Sequence, residues 1–162
     1  MTLEQASLVA QVVSAFAIIA SLIFVGIQLR QAAKAVRNSS SQAHSAVYSQ
    51  INSVLTDNAE FASVWRRALA DPNAVGEDEW VQFVAHLSSL FRFFESSRMQ
   101  WLHGELDEGH WQTILGQAKS LHAQPGVLAW WTLRGWWHSK EFQAWFEGLE
   151  TKDIEPLYSR KE

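Results

Sequence analysis

From Gln5 to Leu29 the chain carries no charged side chain, and the uncharged run Leu8 to Leu29 is long enough to cross a bilayer as one helix. At about 1.5 Å per residue it covers roughly 33 Å, against a hydrocarbon core of about 30 Å. No later stretch is apolar for long enough to cross again. The sequence therefore predicts a single anchor followed by a helical domain.

A cleaved secretory signal would need a positive start ahead of a shorter apolar core. Here the start, Met1 to Leu8, is acidic, and the cleavage-like Ala33-Lys34-Ala35 lies beyond Arg30. We expect the run to be retained. Arg30, Lys34 and Arg37 follow it with no acid before Asp57, whereas only Glu4 precedes it. The positive-inside bias then places the long C-terminal part in the cytoplasm, with the protein single-pass in a bacterial inner membrane and these three basic residues against its anionic leaflet.

The net charge of −4 hides an asymmetry, because everything beyond Arg37 is acidic on balance. With no basic face to release phosphate counterions, nucleic acid is not an expected partner; membrane lipid and further copies of the chain are. There is no cysteine, which excludes disulfides and thiolate metal sites.

No strand-like alternation persists, and apolar residues recur at helical spacing throughout, so the expected class is all-α. The reading divides the chain into an anchor (1–29), a juxtamembrane stem (30–57), a helical domain (58–150) and a tail (151–162). In the stem, Leu29, Ala33, Val36, Ser40, Ala43, Val47, Ile51 and Val54 keep a three-four rhythm that predicts a long continuous helix. The alternative is a break at Asn38-Ser39-Ser40-Ser41, whose side chains compete with the helical backbone.

Five further helices are expected. The first turns Phe61, Val64, Trp65, Ala68 and Leu69 inward and stops at Asp71-Pro72-Asn73. The second starts in Glu77, Asp78 and Glu79 and buries Trp80, Val84, Leu87, Phe91, Phe94 and Trp101 before Gly104. The third runs from about Asp107 to His122 on Trp111, Ile114, Leu115, Ala118 and Leu121. Pro125-Gly126 opens the fourth, with Val127, Leu128, Trp131 and Leu133, and Ser139 caps the fifth, with Phe142, Trp145, Phe146 and Leu149 inward.

The feature with most functional content lies inside the anchor. Ser7, Ala10, Ser14, Ala17, Ser21, Phe24 and Gln28 recur every three or four residues and share one helix face, and all but Phe24 and Gln28 are small. Such a seam lets helices in lipid approach closely and hydrogen-bond. The register continues through Gln31, Ala35, Asn38, Gln42, Ser45, Ser49, Asn52 and Thr56, none of them charged, whereas a solvated face would use Lys and Glu. The stripe suits contact between copies of the chain, either packed tightly or enclosing water.

Nine tryptophans are many for this length, and Trp130, Trp131, Trp136 and Trp137 crowd one short stretch. Trp130 and Trp131 are not expected to point inward together on a thin helix. One of each pair is assigned to another helix, another subunit or lipid headgroups, which makes these four a candidate contact surface.

Catalytic signatures are weak. His103, Glu105, Asp107, Glu108 and His110 match no established zinc spacing and read as a solvated acidic turn, and no Glu-x-x-His of the di-iron type exists. Arg92, Glu95 and Arg98 are three apart and read as a structural ion-pair ladder. No phosphate loop, nucleophile elbow or Ser-His-acid set is found, so neither enzyme activity nor cofactor nor metal is expected.

The whole chain resembles a family of small bacterial proteins of uncharacterised function, each with an N-terminal transmembrane helix and a cytoplasmic helical domain. The resemblance rests on Leu3-Glu4-Gln5, Ser21-Leu22-Ile23, Gln28-Leu29-Arg30-Gln31, Ala35-Val36-Arg37, Phe91-Arg92 with Phe94-Glu95, Leu106-Asp107-Glu108, Pro125-Gly126-Val127 with Trp130-Trp131, and Glu141-Phe142. Lys140 departs from it, where a proline would precede Glu-Phe. It implies an architecture and no reaction. The function expected is structural: self-assembly through the seam as a scaffold, with an oligomeric pore of polar lumen, or a membrane-tethered enzyme or ligand-binding domain, as alternatives.

Overall fold

The computed structural model describes the backbone of residues 3–151, and their side chains except at positions 3, 6, 9, 10, 12 and 36–41. The expected tail therefore lies outside the described residues from position 152 onward. Among the described residues all regular elements are helical, as the periodicity predicts. The chain forms two units, Met1–Ser39 and Ser40–Glu162.

Helix α1 is Leu3–Asp57. Its backbone is helical through Asn38 to Ser41, so the alternative break is not taken. Four such residues cost roughly 0.5 kcal/mol each in propensity, too little to end a helix that strong formers extend on both sides. In the first unit, Val13–Ala35 is long and apolar enough to cross a membrane, and none of it is buried inside the chain.

The second unit begins inside the stretch assigned above to a stem. Tyr48, Ile51 and Leu55 pack against the hydrophobic core. The rings of His44 and Tyr48 lie 5.6 and 5.5 Å from that of Phe93. Val47 and Val54, on which the predicted rhythm relied, are exposed. Ile51 belongs to both the predicted rhythm and the inward face, whereas His44, Tyr48 and Leu55 each stand one position beyond Ala43, Val47 and Val54.

Helix α2 (Ala59–Ala70) starts at Asn58, whose side chain accepts the Phe61 amide at 2.9 Å, and buries the five predicted residues. A 3₁₀ turn at Pro72–Ala74 leads to α3 (Glu77–Leu102). Arg67 ties the end of α2 to the start of α3, donating to Glu79 at 2.7 Å and to the Ala74 carbonyl at 2.7 Å. The Arg67 hydrogen bond, helped by the Gly76 amide, holds the Glu79 carboxyl below the usual carboxylate range.

Helix α3 buries more than one stripe. Phe83, His86, Leu90, Phe93 and Ser97 join the predicted Leu87, Phe91 and Phe94, whereas Trp80, Val84 and Trp101 are only half-buried. It is the central helix of the unit: α2 and α4 pack on it, and its phenylalanines also meet rings of α1, α5 and α6. Contacts with several helices widen its buried face beyond a single three-four stripe, while Val81, Gln82, Ala85, Ser89, Arg92 and Ser96 stay exposed. The buried Ser97 hydroxyl donates to the Phe93 carbonyl at 2.7 Å, which removes the cost of its burial.

Helix α4 (Glu108–His122) follows Asp107, which accepts the His110 amide as its N-cap. Helix α5 (Pro125–Arg134) approaches α2 so closely that a Cβ on Gly126 would stand 1.9 Å from the Ala68 carbonyl oxygen. Glycine alone fits there. Leu128 and Leu133, both on this helix as expected, are exposed. After a 3₁₀ turn at Gly135–Trp137, α6 (Lys140–Glu147) is capped by Ser139 and buries Phe142 and Phe146.

Candidate functional site

The candidate seam is built on the first part of α1. Ser7, Ser14, Ala17, Ser21, Phe24, Gln28 and Gln31 are exposed, and the side chains of Ala10 and Asn38 lie outside the described residues. Phe16, Leu22 and Leu29, on other faces, are at least as exposed as Phe24. None of the described side chains of Val13–Ala35 is buried, and there the seam differs from its surroundings in residue type. Arg30 and Lys34 are exposed, with Lys34 one residue before the end of the apolar segment; the Arg37 side chain lies outside the described residues.

In the second unit the polar stripe divides. Gln42 and Ser49 are exposed. Ser45 borders a shallow cavity that His44, Tyr48, Phe93 and Gln117 also line. Asn52 is half-buried, donates from Nδ2 to the Tyr48 carbonyl at 2.9 Å, and borders a second cavity. Asn52, a candidate seam residue, thus faces its own domain in part. The inward residues Tyr48, Ile51 and Leu55 lie roughly a quarter-turn from the stripe, and position 52 falls at the edge of their face.

The tryptophan surface also divides. Trp130 is 0% and Trp131 9% exposed, so both point inward, contrary to expectation. Helix α5 is held between α2 and α4 on one side and rings of α3 and α6 on the other: Phe91 lies 4.6 Å from Trp130, and Phe146 lies 4.5 Å from Trp131. Trp131 also donates to Glu147 at 3.2 Å. These two are core residues. Trp136 (70%) and Trp137 (39%) remain outside, the latter beneath the Arg134 guanidinium at 4.8 Å from its ring centre.

The acidic turn is occupied by helix-terminal work. Asp107 caps α4 and pairs with the His110 ring, and the His110 amide, with help from that ring, holds its carboxyl below the usual range. Glu108 accepts from Gln112 at 2.6 Å and from the Trp101 indole at 2.8 Å, which lowers it likewise. Among the described residues no three potential ligands are gathered for a metal.

The Arg92–Glu95–Arg98 ladder is not formed. Among the described residues neither arginine makes an ion pair with Glu95, whose carboxylate reaches His138 at 2.7 Å and the Ser139 amide at 2.8 Å. Arg98 lies over the Trp145 ring at 5.5 Å, and Arg92 is exposed. Glu95 thus takes partners 43 and 44 positions away, one of them the buried His138, in place of the half-buried Arg98 and the exposed Arg92. No sequence spacing signals such a pair.

Among the described residues the protein is all-helical, with one apolar helix of membrane-crossing length. Comparison with protein-family models, curated proteins and solved structures finds no match.

Proposed function

We propose that this is a membrane-anchored structural protein, single-pass in a bacterial inner membrane, whose spans associate with one another and hold their helical domains together on the cytoplasmic side. The observation that carries the reading is an apolar helical segment, Val13–Ala35, none of whose described side chains is buried, bearing Ser14, Ala17 and Ser21 along one face in register with the exposed Ser7. Lipid is as apolar as leucine, so association in a bilayer draws on close packing and interhelical hydrogen bonds rather than on water release. Small residues allow the close approach, and serine hydroxyls supply bonds averaging about 0.6 kcal/mol each. Arg30, Lys34 and Arg37 support the orientation.

The chain has no cysteine, so the contact can be mapped directly. In membranes treated with a mild oxidant, Ser14→Cys and Ser21→Cys should each give a disulfide-linked dimer, while Ile19→Cys, on another face, should not. Equal linkage at all three positions, or none at any, contradicts the proposal.

A further inference from the structure

Helix α5 and the turn after it expose a surface that the scaffold reading leaves unused. The exposed residues of α5 are Pro125, Leu128, Thr132 and Leu133, none of them charged, whereas α6 exposes Lys140, Glu141 and Glu147 as a solvated helix does. Just beyond Leu133 stand Trp136 and Trp137. Trp136, at 70%, is as exposed as Phe16 (69%) in the apolar run of α1. A single exposed apolar side chain is ordinary, but here two indoles touch, with ring centres 5.9 Å apart, and Trp136 Nε1 donates to the Leu133 carbonyl at 3.1 Å. With its N–H engaged inside the chain, the Trp136 side chain offers a partner only its apolar ring.

The same segment is basic within a unit that is acidic on balance. From Gly109 to Lys140 the chain has no Asp or Glu, while Lys119, Arg134 and Lys140 carry positive charge. Arg134 lies over the Trp137 ring, and among the described residues it forms no ion pair. Paired indoles beside an unneutralised guanidinium suit a membrane–water interface, where the rings sit at headgroup depth and the cation meets anionic phosphate. A symmetric contact with a second copy would instead bring two basic, acid-free segments together.

We propose that Leu133, Trp136 and Trp137, with Arg134, form a second membrane contact, which inserts at the interface of an anionic bilayer and holds the helical domain on the leaflet beside its own anchor. The contact rests on the anchor proposed above: the second unit starts at Ser40, five positions after Ala35 at the end of the apolar segment. So short a tether keeps lipid at high local concentration, and a patch too weak to hold a free domain then suffices.

The chain has no cysteine, so single nitroxide labels report one position each. The full chain is reconstituted in nanodiscs of phosphatidylcholine with about 30% phosphatidylglycerol, an anionic lipid. Each label's collision rate is measured with oxygen, which concentrates in lipid, and with a nickel chelate, which stays in water. Leu133→Cys reports the patch, Ile19→Cys the span, and Val81→Cys an apolar site of 65% exposure next to the acids that open α3. The oxygen-to-nickel ratio at Leu133 should exceed that at Val81 about tenfold. It should fall towards the Val81 value with Trp136→Ser and Trp137→Ser together, and when phosphatidylcholine replaces the anionic lipid. Should the double replacement fail to fold, the comparison of Leu133 with Val81 in the chain with both tryptophans decides alone. A lipid-like ratio at Ile19 with Leu133 as wet as Val81 overturns this contact and leaves the anchor standing, whereas a water-like ratio at Ile19 overturns both. A Leu133 label shielded from both reagents is covered by protein, a second copy or another part of the chain, and also overturns it.

Discussion

Glu95 and His138 link the middle of α3 to the start of α6: carboxylate Oε2 lies 2.7 Å from His138 Nδ1, and Oε1 accepts the Ser139 amide at 2.8 Å. The His138 side chain is almost wholly buried and its ring stacks on Trp131 at 5.6 Å. Burial alone would push the Glu95 carboxyl up. The Ser139 amide and the His138 ring more than offset it, so the group sits below its ordinary value of 4.5.

That sign sets a pH dependence. A carboxyl depressed on folding contributes stability that is complete above its unfolded value and is lost as pH falls through its folded value. Thermal unfolding of the full chain in detergent should therefore show a loss of stability below about pH 4.5 that Glu95→Gln lacks. At neutral pH, Glu95→Ala should cost about 1 to 3 kcal/mol, since it orphans both the ring nitrogen and the Ser139 amide. An unchanged acid limb in Glu95→Gln would contradict this role.

Two glycine replacements should act in opposite directions. Gly126→Ala drives a methyl into the Ala68 carbonyl and forces α5 off α2, at an expected cost of about 1 to 3 kcal/mol. Gly116→Ala, within α4, meets nothing within 4 Å and should stabilise by about 0.5 to 1 kcal/mol through helix propensity alone. Urea unfolding of the two variants side by side checks both signs.

How much the sequence discloses follows from how each helix is covered. Helix α2 buries one stripe against one neighbourhood, and Phe61, Val64, Trp65, Ala68 and Leu69 are readable from spacing. Helix α3 is central and buries a face wider than the predicted stripe; Phe83 and Leu90 lie on it in step with Leu87 and Phe94, and Phe93 lies towards its edge. Trp130 and Trp131 read as a split pair because periodicity treats a helix as one-sided, whereas α5 has neighbours on two sides. The Glu95–His138 link joins residues far apart in sequence, and local spacing carries no trace of it. The anchor is legible because length and absence of charge are properties of the run itself.

Phe24 separates a packed scaffold from a wet pore. It is the bulky apolar residue in a seam otherwise small or polar, and in a hydrated lumen a ring of Phe24 side chains would form a dewetted constriction. We expect close packing, so Phe24→Ser should weaken assembly and give no ion flux in liposomes. Flux gained with the oligomer intact would establish the pore instead.

Topology is tested separately. A reporter fused after Glu162 should behave as cytoplasmic, because Arg30, Lys34 and Arg37 gather at the C-terminal end of the apolar run, and alkaline extraction should leave the protein with the membrane. Periplasmic reporter activity would reverse the orientation and leave the seam untouched.

The central claim is that the anchors associate through the serine-bearing face, and the mass of the detergent-solubilised full chain, measured across a range of dilutions, tests it most directly. The account predicts a discrete oligomer for the unmodified protein that is weakened or changed in size by Ser14→Leu with Ser21→Leu and kept by Ile19→Leu. A monomer at every concentration, or an oligomer indifferent to the double replacement, would contradict it.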